Sequence, residues 1–169
     1  MDVSEQREYH SILVAMVIPP GRIPENRFDW CYRLAYRLAY PVIRRWWRLY
    51  GHDGVVIAVW LEERVLAVRH SYKPGLRLPR GGIGKSEDHR ITAVRELQEE
   101  VGVAIDPSQL RLVFTTKSRL GLVHFYEARL EAMPVLRIDR REVVEAVFLP
   151  PGSLFEPSLR IAAYLVNAS

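Results

Sequence analysis

Residues 80–103, RGGIGKSEDHRITAVRELQEEVGV, bring a glycine-rich loop, a helix start and clustered carboxylates into one short stretch. The second half predicts a helix that begins near Asp88, whose carboxylate can cap free backbone N–H groups. We expect it to end at Gly102, since glycine tolerates the left-handed conformation. At about 100° per residue, the apolar side chains form a stripe that should be buried against a sheet. This stripe contains Val94, Leu97 and Val101, with Ile91 at its margin.

Three glutamates, Glu96, Glu99 and Glu100, fall together on the other side of this helix. Such neighbours repel one another by about a few tenths of a kcal/mol per pair, which predicts a cation beside them. A hard divalent ion such as Mg²⁺ suits carboxylate oxygens and is commonly shared with water and substrate phosphates. A solvated acidic surface with Arg90 and Arg95 as counterions is the alternative. The three glutamates alone do not decide between these two interpretations.

The spacing upstream of the glutamates favours the metal. Gly81 precedes Glu87 by six residues, Glu87 precedes Arg95 by eight, and RELQEEVGV follows without a gap. This matches every fixed position of the Nudix box, G-x5-E-x7-R-E-U-x-E-E-x-G-U with U apolar, so the sequence resembles a Nudix hydrolase. The resemblance covers about residues 52–166. It implies an α/β/α sandwich with a mixed β-sheet, to which this chain adds an N-terminal helical extension.

The resemblance implies hydrolysis of a diphosphate linkage with Mg²⁺ or Mn²⁺ as the cofactor. Such a reaction adds negative charge to oxygens that are already anionic, so the site must neutralise this charge and supply a water nucleophile. We expect Arg95 to orient a box glutamate by a charge-assisted hydrogen bond, and Glu87 to support the loop or a second metal. The implied metal ligands are the carboxylates of Glu96, Glu99 and Glu100 and the backbone carbonyl of Arg80.

The general base stays open, because Nudix enzymes use either a box glutamate or one from a downstream loop. The downstream candidates are Glu127, Glu142 and Glu145. Glu142 and Glu145 are favoured, since the segment EVVEAVF resembles the acidic element just before the family's last strand.

Residues 70–77, HSYKPGLR, predict a loop that leads into the box. Cations at and after its start could contact phosphate oxygens, although a solvated loop explains them equally well. Arg80 stands where a third glycine is common in the family, and a bulky cation there can bias the choice of substrate. The candidate substrate-binding residues are Arg69, Lys73, Arg77, Arg80, Gly81 and Gly82.

The remaining pattern fits a mixed sheet between helical layers. Apolar, β-branched runs predict strands at residues 55–60, 65–69, 110–116, 122–130 and 143–148. His124 is interpreted as a packed or edge residue, since no partner histidine is spaced with it. Residues 154–166 predict a final amphipathic helix, whose inner side carries Leu159, Ala162, Ala163 and Val166.

Composition is that of a soluble globular protein, with 169 residues, 49% hydrophobic and 26% charged. The lone Cys31 excludes an internal disulfide framework, fits a reducing compartment such as the cytoplasm, and is expected to be buried. The net charge of +4 comes mostly from arginine, which suits bidentate phosphate binding. We expect an extension at residues 1–50 and a Nudix hydrolase domain at residues 51–169. Residues 12–18 predict a short strand or arm, and their acidic leading flank argues against a signal peptide.

Residues 26–50 carry Tyr32, Tyr36 and Tyr40 at helical spacing, and Pro41 is expected to end or kink this helix. In one interpretation the aromatic stripe packs on the main domain or on a second subunit, giving a homodimer. In another, the basic aromatic helix makes a peripheral contact with an anionic membrane. In the last, the rings stack on a nucleobase or a nucleic acid, with arginines on the phosphates.

These patterns predict an enzyme that hydrolyses a nucleoside diphosphate linked to another group, such as a nucleotide sugar, a dinucleotide or a nucleoside triphosphate. A Nudix-fold module that binds a nucleotide or RNA without turnover is the alternative. The intact box argues against it, because inactive relatives usually lose the metal glutamates. Nothing convincing between Ala104 and Leu122 indicates which substrate is used.

Overall fold

The computed structural model describes residues 17–18, 27–50, 52–138, 141–156 and 158–168. Within these ranges the chain forms three α-helices, named α1 (Arg27–Tyr50), α2 (His89–Val101) and α3 (Leu159–Ala168). The strands in the same ranges are β1 (Val17–Ile18), β2 (Gly54–Leu61), β3 (Arg64–His70), β4 (Arg80–Gly82), β5 (Arg111–Lys117), β6 (Leu122–Leu130) and β7 (Val143–Leu149).

The described strands form one mixed sheet in the order β1-β7-β3-β2-β6-β5, and β4 also pairs with β2. β2 and β6 run parallel over their full length, whereas the other pairs are antiparallel. The predicted strands are thus confirmed. Of the arm predicted at residues 12–18, only Val17 and Ile18 lie among the described residues, and they pair with β7.

The central strand β2 supplies side chains to both faces of the sheet. Ile57 and Val59 belong to the core on the α2 side, while Ala58 and Trp60 belong to the core on the α3 side. A strand buried on both faces needs apolar residues at successive positions, which explains the unbroken run GVVIAVWL. The predicted α/β/α sandwich is therefore confirmed.

Helix α2 begins and ends as predicted. Asp88 accepts hydrogen bonds from the backbone N–H groups of Arg90 and Ile91, and Gly102 has a left-handed φ of 71°. Leu97 and Val101 are fully buried, and Val94 packs at the edge of the same core. Ile91 is half exposed. Glu100 was expected on the exposed side, but it lies at the boundary of the stripe and is only 7% exposed.

The predicted start and inner side of the last helix are wrong. The helix begins at Leu159, after a 3₁₀ turn at Pro151–Ser153. Residues 154–156 are held outside it, because the Phe155 N–H donates to the Leu76 carbonyl at 2.8 Å. Its buried residues are Ile161 and Leu165. The stripe predicted as internal lies outside, since Leu159 is 87% and Val166 62% exposed. A helix that is apolar on most sides offers two possible stripes, and the bulkier one packs on the sheet.

Helix α1 continues through Pro41 to Tyr50, so the proline does not end it. Two of its tyrosines contact the main domain, as the first of the three interpretations expects: the rings of Tyr36 and Tyr40 lie against Tyr72. Cys31 is exposed, so the expectation that it is buried was wrong. No helix among the described residues has both the length and the apolar character needed to cross a membrane.

Candidate active site

Helix α2 packs closely against strand β4 at Gly81. The carboxylate of Glu96 lies over this residue, and a Cβ atom at position 81 would be 1.8 Å from the Glu96 Cδ atom. Only glycine leaves room for the glutamate in this position. The box glycine is therefore explained by the close contact between its backbone and the carboxylate of Glu96.

A single guanidinium, that of Arg95, holds the box together. Its Nε donates to Glu87 at 2.9 Å, and its Nη1 donates to Glu96 at 2.8 Å and to Glu99 at 2.9 Å. Glu87 also accepts from the Gly84 N–H at 2.9 Å. Its hydrogen bonds with Arg95 and Gly84 hold the pKa of Glu87 well below its usual range. Glu87 thus fastens the loop that follows β4 to α2.

The last box glutamate, Glu100, faces the end of β3. Its Oε1 is 2.8 Å from the Nε2 atom of His70, and its Oε2 accepts from the Arg80 N–H at 3.3 Å. Burial and the charge of Glu142 raise the pKa of Glu100 to about 8. Burial likewise lowers the pKa of His70 to about 4. Both shifts favour neutral groups near pH 7, so the contact is a hydrogen bond more than an ion pair.

Glu96 is the second largely buried carboxylate of this cluster. Burial raises its pKa to about 7, against the lowering effect of Arg95. Two carboxylates that are partly desolvated on the same helix face are costly as anions without a further cation. A cation bound beside the β4 backbone would therefore stabilise the charged form of both carboxylates.

Among the candidate bases, Glu142 lies at the site. Its Oε1 accepts from the Tyr72 hydroxyl at 2.7 Å, and its charge acts on both Glu100 and His70. Lys73 lies on the same side, with its ammonium 4.7 Å from the ring centre of Tyr40. Burial and the charges of Arg80 and Arg77 lower the pKa of Lys73 to about 8.

Glu145 and Arg69 are not brought to the glutamate cluster. They are cross-strand neighbours on β7 and β3 and form an ion pair of 2.6 Å. Their neighbours Val68 and Ala146 point to the α2 side, so strand alternation turns this pair to the opposite face. Glu127 is also on the α3 side, where it binds Arg111 and the Tyr164 hydroxyl.

The remaining candidate cations have partners of their own. The guanidinium of Arg80 turns away from its backbone and contacts Glu156 at 2.5 Å. That of Arg77 lies 4.8 Å from the ring centre of Phe155.

Gly82 is close to His52, because a Cβ atom at position 82 would lie 2.0 Å from the Nε2 atom of His52. His124, interpreted as lacking a histidine partner, stacks on His89 at 4.3 Å.

Three residues of this region were missed from the sequence: His70, Tyr72 and Glu156. None belongs to a motif, and each contacts a residue at least 30 positions away. For one of the three, Glu156, the charges in the sequence offered a signal. Glu156 is a lone acid in an apolar segment, and Arg80 replaces a common glycine, so a pair between them could have been suspected.

The fit of a divalent ion depends on the chemistry of its donors. Within the ranges that the structure describes, no three His, Cys, Asp or Glu side chains are arranged to hold a metal ion. Glu96 and Glu99 instead turn to Arg95, and Glu100 turns to His70. Carboxylate oxygens beside a backbone carbonyl are nevertheless the donors that Mg²⁺ and Mn²⁺ prefer. The donor set fits a hard cation once these side chains turn from their protein partners.

The glycine loop and the acidic helix face of this α/β/α sandwich offer donors that suit a divalent ion shared with phosphate groups. A model of the NUDIX domain matches residues 51–166. This match covers more than half of the sequence, and the chain belongs to the NUDIX domain family.

Solved structures share this fold. A C. elegans Ap4A hydrolase is 16% identical, with a TM-score of 0.57 over 68% of this chain and 94% of that one. The NUDIX domain of Shewanella oneidensis NrtR, solved with ADP ribose, is 18% identical, with a TM-score of 0.58 over 70% and 88%. The E. coli dihydroneopterin triphosphate pyrophosphohydrolase is 18% identical, with a TM-score of 0.54 over 68% and 95%.

A curated relative matches in sequence as well. The chain is 33% identical over 86 residues to a methanol dehydrogenase activator of Bacillus methanolicus, which is 46% of each chain. The match thus spans less than half the length of that relative.

Proposed function

We propose that this protein hydrolyses a diphosphate linkage in a nucleoside diphosphate joined to another group, with Mg²⁺ or Mn²⁺ as its cofactor. The observation that carries the proposal is the cluster formed by Glu96, Glu99 and Glu100 beside the β4 backbone. It has more carboxylates than cations, and two of them are largely buried. Such a cluster suits the binding of a divalent ion and of the phosphates that share it.

In this proposal the metal is held by Glu96, Glu99, Glu100 and the backbone carbonyl of Arg80. When bound, a divalent ion neutralises phosphate oxygens and lowers the pKa of a coordinated water. Arg95 fixes the orientation of Glu96 and Glu99 and ties them to Glu87. His70 orients Glu100 in the same way, through the contact at its Oε1 atom.

We assign the general base to Glu142, because Glu145 and Glu127 are paired on the opposite face of the sheet. We assign Lys73 a contact with substrate phosphates, which is supported by its partial burial and by the influence of Glu100 and Glu142 on its pKa. Arg77, whose charge also acts on Lys73, is a second candidate for that contact.

The relatives support a nucleotide substrate. One structural neighbour is an Ap4A hydrolase and another was solved with ADP ribose. The second candidate function is a nucleotide-binding module without turnover, which the relative named as an activator favours. All box glutamates are present in this chain, and this favours hydrolysis over binding alone.

The test is a screen of nucleotide sugars, dinucleotides, capped nucleotides and nucleoside triphosphates with Mg²⁺ and with Mn²⁺. Phosphate release would be measured with and without added phosphatase, which distinguishes products that carry a terminal phosphate. We expect turnover of at least one class. Binding of a nucleotide without turnover of any would support the binding module instead.

The matched variants are Glu99→Gln/Glu100→Gln and, as the control, Glu62→Gln/Glu63→Gln at an exposed turn. The first should lower kcat by about a thousandfold or more, because it removes two carboxylates that would hold the divalent ion, whose positive charge neutralises the phosphate oxygens. Its thermal unfolding should stay close to that of the wild type. Unchanged activity in this variant would contradict the assignment of the site.

A further inference from the structure

Helix α1 contacts two separate segments at the edge of the candidate site. On one segment, Arg141 makes an ion pair of 3.2 Å with Asp29, and its guanidinium lies 4.7 Å from the ring centre of Tyr32. Asp29 is only 8% exposed, whereas most of the α1 side chains that the structure describes are exposed. The first turns of α1 are therefore attached to the residue that precedes Glu142.

On the other segment, the ring of Tyr72 is covered by two tyrosines of α1. Tyr36 stacks on it at 5.8 Å with an angle of 16°, and Tyr40 lies 4.7 Å away. The Lys73 ammonium lies over both the Tyr40 and the Tyr72 rings. One helix thus holds both the Tyr72 and the Arg141 segments.

These two segments meet in a hydrogen bond at the site. The Tyr72 hydroxyl donates to Glu142 at 2.7 Å, and the Ser71 N–H donates to the Glu142 carbonyl at 2.8 Å. The Tyr72 ring also lies 5.4 Å from that of His70, which contacts Glu100. Tyr72 therefore donates to Glu142 and lies beside His70, the residue that contacts Glu100. Both carboxylates are ones that we place in the reaction.

We propose that Tyr72 is a positioning residue for Glu142, and that α1 clamps the two together. The hydroxyl fixes the orientation of the carboxylate that accepts the proton of the attacking water. Tyr36 and Tyr40 fix the ring, and Asp29 fixes Arg141 next to Glu142. The inference rests on the proposed hydrolysis, and it makes α1 a part of the hydrolytic site.

The structure supplies a matched control for this proposal. Tyr164 also donates its hydroxyl to a glutamate, Glu127, but on the opposite face of the sheet. Tyr72→Phe and Tyr164→Phe therefore remove the same kind of hydrogen bond at and away from the site. Both keep the aromatic ring and its packing.

The experiment compares kcat and KM of these variants, with ADP-ribose and Ap4A as the first probes and the fastest compound of the screen as the next. We expect Tyr72→Phe to lower kcat about tenfold or more, with KM changed less than about twofold, because a misoriented base affects the transition state more than binding. Tyr164→Phe should keep the wild-type kcat. Equal kcat values for Tyr72→Phe and the wild type would overturn the proposal.

A double-mutant cycle separates positioning from general packing. Glu142→Gln alone should lower kcat strongly, and adding Tyr72→Phe should lower it no further, because the two residues act as one unit. Tyr36→Leu/Tyr40→Leu should reproduce the loss of kcat in the wild-type background and add little to Tyr72→Phe. Independent, multiplicative losses in Tyr72→Phe and Glu142→Gln would show that the Tyr72 hydroxyl does not act through Glu142, and would overturn the proposal.

Hydrogen exchange tests the clamp without turnover. In Tyr36→Leu/Tyr40→Leu, the amides of residues 70–73 and 141–143 should exchange faster, while those of β2 stay unchanged. If the wild type hydrolyses no compound, the proposed function fails and exchange still tests the clamp. Unchanged exchange in both segments would overturn the clamp, even in an active enzyme.

Discussion

The two faces of the sheet treat their carboxylates differently. On the α3 face each described glutamate discussed above has its own guanidinium, as in the pairs Glu145 with Arg69, Glu127 with Arg111 and Glu156 with Arg80. On the α2 face three glutamates share Arg95, and Glu100 faces a neutral histidine.

This difference separates charges that serve stability from charges that serve a ligand. A buried carboxylate with its own guanidinium is satisfied within the protein. On the α2 face Glu96 and Glu100 lack that compensation, and burial raises the pKa of both. Natural proteins keep such uncompensated acids chiefly at functional sites. The unequal distribution of charge therefore points to the same residues as the spacing of the box.

Among the tests of this contrast between the two faces, the largest effect is expected from moving one carboxylate on the α2 face. In Gly81→Ala the new methyl group would occupy the position of the Glu96 carboxylate, which must rotate away. We expect kcat to fall about a hundredfold, since transition-state contacts depend on position to within about 1 Å. The Tm should change little, because the end of a flexible side chain can move. Gly152→Ala, where the structure has open space, is the control for steady-state kinetics and calorimetry.

The second test changes the α3 face, and there we expect an intermediate effect on the stability of the protein. Arg80→Met would leave Glu156, whose side chain is 2% exposed, buried without its guanidinium. We expect the free energy of unfolding to fall by about 3 kcal/mol, as measured by urea denaturation. Adding Glu156→Gln should restore most of this loss. If Arg80→Met instead raised KM and kept stability, the guanidinium would serve the substrate and the contrast between the faces would be wrong.

The smallest expected effect is the dependence of stability on pH and on Mg²⁺. Burial raises the pKa of Glu96 to about 7 and that of Glu100 to about 8, from 4.5. Between pH 4.5 and about 8, the folded state therefore binds more protons than the unfolded state. This contribution to stability is complete below pH 4.5 and is lost as the pH rises through 7 and 8. Without metal, stability should therefore fall across that window.

Mg²⁺ binds the deprotonated carboxylates, so it should offset this loss only at high pH. We expect saturating Mg²⁺ to raise the Tm by about 4 °C near pH 8.5 and by less than about 1 °C near pH 5.5. Scanning calorimetry with Mg²⁺ and with a chelator provides the measurement. Glu96→Gln/Glu100→Gln should remove both the pH dependence and the Mg²⁺ effect, and an equal Mg²⁺ shift at both pH values would contradict the assignment.

Most of the candidate site could be placed from the sequence, because its parts are close along the chain. The caps at Asp88 and Gly102 and the spacing of the glutamates follow from helix geometry alone. The choice between Glu142 and Glu145 could not be made in this way. These residues are three positions apart, but one precedes β7 while the other points to the far face within it.

The sequence by itself predicted the acidic helix face and the apolar strands, since these depend on patterns of a few neighbouring residues. The spacing of the box indicated the family, through its resemblance to the Nudix pattern. Only the tertiary structure decided that Arg80 pairs with Glu156, that His70 contacts Glu100 and that α1 covers Tyr72. Each of these contacts joins residues at least 30 positions apart. Such pairs are set by how strands and helices dock, because no local spacing encodes which distant side chains will meet.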